Sequence, residues 1–465
     1  MNAGTQRAFW DQIEEIFDPE LPAEQALFAE REPDYNPLAE LVELLEIETQ
    51  TLRRYLVIGA VGNGKTSELY HFGAQLAERR MIVLVDLWRH FASTIGDSKA
   101  LERLQTWELL GLVGVALYRA GVDRFGHKWK HEPKQLQQAL EKVRKSEGGE
   151  GPEIDVAKLS KAMVVVASAA VGALAAGPAG LALGAVADTG LKVLDAGADA
   201  ASWSWYPGKA ARKASDDHEA RPVLDAVNAM IMTLQGAYGR RLLILVDGLD
   251  RAGDERVRTL FAESALLGQL NCDAVWIAPD GVRRLDASIR GLTIQELCNV
   301  PVLDRKQPNE PREAGLRFFR SLVTKRLDRA RSKLIGSSGP ADPFPTELVD
   351  ELAYYSGGVT RDFIKLVRLA TSKALRADAD AIDVTMVEYA LRESRRAKER
   401  AMNAAEIELL ERLMLDPERR LPEGEIAAQL LAEQRLLAYP NETTWYYPHP
   451  LLTLALLKPK PSSPS

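Results

Sequence analysis

The stretch Tyr55-Leu56-Val57-Ile58-Gly59-Ala60-Val61-Gly62-Asn63-Gly64-Lys65-Thr66-Ser67 decides how this chain is read. An apolar run of β type leads into the pattern G-x-x-x-x-G-K-[ST], and a helical pattern begins at Lys65. Glycines allow such a loop to turn tightly and to bring backbone N–H groups against phosphate, where a Cβ would obstruct both. The helix behind the loop contributes the positive end of its dipole. Lys65 is then placed to reach the β- and γ-phosphates, and the Thr66 hydroxyl to ligate Mg²⁺. At average residue frequencies the pattern arises in roughly one or two per cent of chains this long. Its place between a strand and a helix is what the mechanism requires. Gly59, Ala60, Val61, Gly62, Asn63, Gly64, Lys65, Thr66 and Ser67 are the candidate nucleotide-binding residues, with ATP and Mg²⁺ as the expected cofactors.

Outward from the loop, MIVLVDL at 81–87, LLILVDGLD at 242–250 and AVWIAPD at 274–280 are near-continuous apolar runs. Runs of this kind indicate parallel strands covered on both faces, so the chain is expected to be α/β. Asp247 closes the strongest of them and is the candidate acid for Mg²⁺, directly or through water. Asp250 is the nearest further carboxylate that could polarise an attacking water, or else it pairs with Arg251.

With 465 residues, 46% hydrophobic and 27% charged, the chain exceeds what one core supports and is not a disordered composition. The expected division is an N-terminal helical lead-in (1–50), a P-loop core (51–310) with an inserted segment at about 125–215, a helical lid (311–400) and a C-terminal winged-helix-like module (401–465). The last rests on AAEIELLERLML and EGEIAAQLLAEQ followed by two short strands around an Asn-containing turn. A net charge of −7 gives no global attraction to nucleic acid or anionic lipid. Cys272, Cys298 and six histidines match neither a disulfide framework nor a zinc spacing. The acidic, amphipathic N-terminus lacks a secretory signal, so a cytoplasmic location is expected.

The insertion changes character twice. It starts charged and becomes an uncharged Ala/Gly/Val stretch from Ala162 to Ala187, broken at Gly177-Pro178. The pattern suggests a helical hairpin packed on protein, with Asp188, Lys192, Asp195 and Asp199 on one face and Gly172, Ala176, Gly180 and Gly184 available for close helix contact. Membrane contact is the less favoured reading. WSWYPGKAARK at 203–213 fits either a membrane-interface anchor or tryptophans packed on the core.

GAVGNGKTSEL, the spaced acids of LILVDGLDR, and SGGVTRDFIKLVRLA before a winged-helix-like tail resemble AAA+-related ATPases of the STAND, KAP and origin-recognition groups. The resemblance implies a P-loop core with a helical lid, in which Arg361 matches the lid arginine that touches the γ-phosphate. It gives the catalytic set Lys65, Asp247, Asp250 and Arg361. It also implies a polar sensor after AVWIAPD, where this chain has Pro279-Asp280, and a trans-acting arginine for which Arg283 and Arg284 are the candidates. Rapid hydrolases of the class carry a glutamate straight after the aspartate, and this chain carries Gly248. The implied function is an ATP-driven switch of the STAND type, as in bacterial defence or signalling, with a partner protein or further copies of itself. A DNA-binding initiator or loader, reading duplex through the tail and RESRRAKER at 392–400, is the alternative, and a membrane-associated KAP-like ATPase the third.

Overall fold

The computed structural model describes residues 3–47, 51–148, 153–163, 165–168, 191–194, 205, 207–208, 217–283, 289–333, 340–440 and 444–458. Along the chain, helices α1 (Ala3–Ile16) and α2 (Pro37–Glu46) precede strand β1 (Arg54–Ile58), then α3 (Lys65–Leu76) and β2 (Met81–Asp86). Helices α4 (Thr106–Asp123), α5 (Glu132–Ser146) and α6 (Val156–Ala162) follow, with strands β3 (Val165–Ser168) and β4 (Leu191–Leu194). After α7 (Asp217–Tyr238) come β5 (Leu242–Asp247), β6 (Asp273–Ala278) and β7 (Thr293–Glu296). The remainder is α8 (Glu313–Lys333), α9 (Thr346–Tyr355), α10 (Thr360–Arg376), α11 (Val384–Glu399), α12 (Ala404–Leu415), α13 (Glu425–Ala432), and the strands β8 (Leu436–Tyr439) and β9 (Trp445–Pro448).

Two compact units result. One comprises Met1–Pro37, Gly59–Ser67 and Leu297–Ser465, and the other Leu38–Ile58 and Glu68–Glu296. They do not follow consecutive segments, because the loop Gly59–Ser67 finds its packing partners in the N-terminal segment and after Leu297.

The second unit holds the sheet, in the order β4-β3-β2-β5-β6-β1-β7. Its five strands β2, β5, β6, β1 and β7 are parallel, and β2, β5 and β6 are buried along their whole length. This is the expected parallel sheet, with β1 and β5 separated by β6. Helices cover its apolar residues. α4 is buried on nearly every face, which is what its all-round apolar sequence TWELLGLVGVAL demands.

The insertion is helical in α5 and α6 but corrects the expected hairpin further on. Val165–Ser168 and Leu191–Leu194, expected as helix arms, pair antiparallel with β2 and with each other. The β-branched Val165, Val166 and Val193 suit strands, and β3 satisfies the backbone groups that β2 would otherwise expose at an edge. Lys192 thus stands on a strand, while Gly172, Ala176, Gly180, Gly184, Asp188, Asp195 and Asp199 lie outside the described residues. Trp205 is buried and stacks on Trp107 at 6.0 Å, so of the two readings of WSWYPGKAARK its described tryptophan packs on the core. Trp203 lies outside the described residues. No described helix is long and apolar enough to cross a membrane.

The first unit is helical, with its core formed by Phe9, Trp10 and Phe17 of the N-terminal segment against Phe319, Phe344 and Phe363. At its C-terminal end α12, α13 and the antiparallel pair β8–β9 form a winged-helix-like module with its own apolar centre at Leu410, Leu413, Leu430 and Leu452.

Candidate phosphate-binding loop and acidic strand ends

The loop between Ile58 and Lys65 belongs to the first unit. Gly62 (φ 82°) and Gly64 (φ 95°) take left-handed conformations that only glycine adopts without strain. Lys65 is buried, and its Nζ donates to the carbonyls of Gly59 and Ala60, both at 2.8 Å, which holds the ammonium inside the curve of the loop. Helix α3 starts at Lys65, so the positive end of its dipole lies at the end of the loop.

Three other segments grip this loop. From α10, the Arg361 backbone N–H donates to Gly62 O at 2.9 Å, and a Cβ on Gly62 would stand 2.8 Å from Arg361 Cβ. The guanidinium Nε of Arg361 donates to Pro19 O at 3.3 Å. From the N-terminal segment, buried Arg31 donates to the carbonyls of Asn63 and, at 2.8 Å, Cys298, while Ala23 N–H donates to Ser67 Oγ at 2.9 Å. From the turn before β8, the Gln434 amide donates to Val61 O. Gln434 holds φ 55°, unusual without glycine, and that conformation aims it at the loop. The sequence marks Arg361 through its resemblance, but Arg31 and Gln434 carry no motif and are revealed only by folding.

The fit to phosphate can be tested on the loop itself. A Cβ at Gly64 would lie 3.5 Å from Arg31 Nη2 and 3.8 Å from Thr360 Oγ1, and that hydroxyl is buried with no hydrogen-bond partner. The loop thus combines a backbone cradle, two cations and an unused hydroxyl, a donor set suited to the phosphates of a nucleotide.

Asp247 belongs to the second unit, where it ends β5 almost fully buried. It lies in register with Asp86 at the end of β2, so two carboxyl groups share the carboxyl edge of the sheet. Burial raises the Asp86 pKa, the Arg89 N–H bond at 2.9 Å opposes this, and the Asp250 charge adds to it. Burial and the charges of Asp86 and Asp247 likewise raise the Tyr70 hydroxyl on α3. Asp250 therefore lies in the same acidic neighbourhood, in the turn Leu249–Arg251, while Arg251 stacks over the Trp88 ring at 4.0 Å. Asp86 and Tyr70 escaped the sequence reading, although the shared ending Val-Asp of the two strands marks Asp86. Gly248 sits at φ 92°, and a Cβ there would stand 2.6 Å from Trp88 N, so this position has no room for a glutamate.

Asp280, at the expected sensor position, binds Arg283 at 2.7 Å, and Arg283 also pairs with Glu296. Arg283 is thus held by carboxylates of its own unit, and Arg284 lies outside the described residues. In the run at 392–400, Arg395 and Arg396 pair with Glu399 and Glu393 at 3.5 and 3.1 Å. Lys398 instead reaches inward to Asp362 at 2.8 Å, where His449 Nε2 approaches the same carboxylate at 3.3 Å. Burial and the Lys398 charge push His449 down to about 4; its partners overcome the burial of Asp362 and hold that carboxyl well below the usual range.

No family model matches the sequence, and no curated protein matches it. Among solved structures the chain is similar to the Walker-type ATPase of Pyrococcus abyssi, with TM-score 0.40 and 13% identity over 94% of this chain and 98% of that one. It is similar as well to the ORC2 protein of Aeropyrum pernix in ADPNP–ADP complexes, with TM-score 0.39 and 11% identity over 94% and 93%. Drosophila ORC bound to DNA matches with TM-score 0.37 and 12% identity over 95% and 89%.

Proposed function

We propose that the chain is an ATP-binding molecular switch that hydrolyses ATP slowly. The observation that supports this most directly is the loop at Gly59–Ser67, with Lys65 inside its curve and the lid helix α10 bonded to its Gly62 carbonyl. A ligand on that loop acts on the lid without an intermediary, and a preference of a few kcal/mol for one lid position suffices to shift the population. In this reading Thr66 and Asp247 are the Mg²⁺ ligands, Lys65 and Arg361 the phosphate contacts, and Asp250 the nearest candidate for the attacking water. The position after Asp247 cannot hold a glutamate, so turnover falls below the enzyme median of about 10 s⁻¹. A STAND-type role in defence or signalling, with a partner protein giving the output, is the biological form we favour.

Steady-state phosphate release from the full chain with Mg·ATP tests the reading. Slow, Mg²⁺-dependent release that disappears in Asp247→Asn supports it. Turnover above the median, or wild-type release from Asp247→Asn, contradicts it.

A further inference from the structure

A cavity of about 1020 Å³ opens in the first unit between the segment Asp304–Arg312 and the end of α12 with the turn after it, Met414–Arg419, with Trp445 in its wall. Four cations line it: Arg305, Lys306, Arg312 and Arg419. Three acids line it too, each tied into its own turn or ion pair, and the Asp416 and Asp304 charges also act on Arg419. Asp304 accepts the N–H groups of Lys306 and Gln307 at 2.8 and 3.1 Å, and Asp416 those of Glu418 and Arg420 at 2.9 and 3.3 Å. Glu418 takes Arg305 at 3.3 Å.

Lys306, Arg312 and Arg419 then form no ion pair among the described residues. Arg312 lies over the Tyr35 ring at 5.0 Å and donates to its hydroxyl. Arg419 is 9% exposed, stands over Trp445 and Tyr447 at 5.8 and 5.4 Å, and its Nε has no hydrogen-bond partner. Its backbone is held at φ 48°, a costly conformation for a non-glycine residue. Two bonds keep it there: Arg419 N–H to Asp416 O at 3.3 Å and Tyr446 N–H to Arg419 O at 2.9 Å. A guanidinium that lines a roomy cavity without an ion pair among the described residues, fixed by a strained turn, is a side chain positioned for an anion. Met414, Leu415 and Pro417 add an apolar part to the wall.

We propose that this cavity is a second ligand site, separate from the phosphate loop, that takes a small organic molecule bearing phosphate. Its size exceeds that of a single phosphate and suits a nucleotide-sized ligand. Lys306, Arg312 and Arg419 bind the phosphate, and the apolar wall receives the organic part.

The test is calorimetry on the full chain carrying Lys65→Ala, which takes the phosphate loop out of the titration, with pyrophosphate and AMP as probes. Saturable binding is expected, with AMP the tighter, and it weakens about tenfold or more on adding either Lys306→Glu or Arg419→Met. Lys306 is exposed, so its variant folds whatever becomes of Arg419, whose methionine replacement keeps the stem on the rings. Absence of binding by both probes, or binding unchanged in both variants, overturns the proposal. So does binding of duplex DNA alone that is lost in the same variants, which assigns this face to nucleic acid.

Discussion

Arg361 is bonded to Gly62 through its backbone and packed on it through its side chain: the N–H to carbonyl distance is 2.9 Å, and Arg361 Cβ fills the space a Gly62 side chain would need. Helix α10 and the loop at Gly59–Ser67 are therefore in direct contact. Gly62→Ala combines a clash with a strained φ, at a cost of about 1–3 kcal/mol, and should displace α10 from the loop. Arg361→Ala leaves the backbone bond intact, so ATP binding remains measurable while the lid loses its hold on the ligand. Limited proteolysis checks both: ATP should protect α10 in the wild type and not in either variant.

Asp86→Asn and Asp247→Asn alter neighbouring strand ends of one sheet edge. Both should lower phosphate release, Asp247→Asn the more severely, with ATP affinity less affected than turnover. Wild-type kinetics in Asp86→Asn would remove that residue from the site. Gly248→Glu should not accelerate hydrolysis, since the Trp88 backbone occupies the space its side chain needs.

Asp273, fully buried at the start of β6, binds Arg80 at 3.0 Å and Arg241 at 2.9 Å and accepts the Arg53 N–H at 2.9 Å. Removing it strands the buried Arg80 guanidinium. Asp273→Ala should cost about 3–5 kcal/mol, seen as a lowered urea midpoint of the unit that contains the sheet.

His449 links stability to pH. Its folded pKa of about 4 lies below the ordinary 6.5, so the unfolded chain takes the proton first as pH falls. The contribution is complete above 6.5 and lost as pH falls through about 4. Asp362, also depressed, adds a second loss below its ordinary 3.8. The melting midpoint should fall with acidification across the first window, and His449→Gln should flatten that slope while lowering the midpoint at neutral pH.

What the sequence revealed was local. The strand-loop-helix at Tyr55–Ser67 and the apolar runs ending in Asp247 and Ala278 report their own conformation through composition, and the structure has them as read. Arg31 and Gln434 were invisible, because the loop carbonyls they meet lie 32 and 373 residues away in sequence and no local pattern marks either pairing. The Ala/Gly-rich insertion misled for a different reason. Short Val-containing segments do not distinguish strand from helix by periodicity, and the unpaired edge of β2 decided the matter for Val165–Ser168.

The central claim is that Lys65 and its loop bind ATP. Calorimetric titration of Mg·ATP into the full chain and into Lys65→Ala, with circular dichroism to show that both are folded, tests it most directly. Saturable binding to the wild type that vanishes in the variant is the predicted result, and equal affinity in the two folded proteins would contradict it.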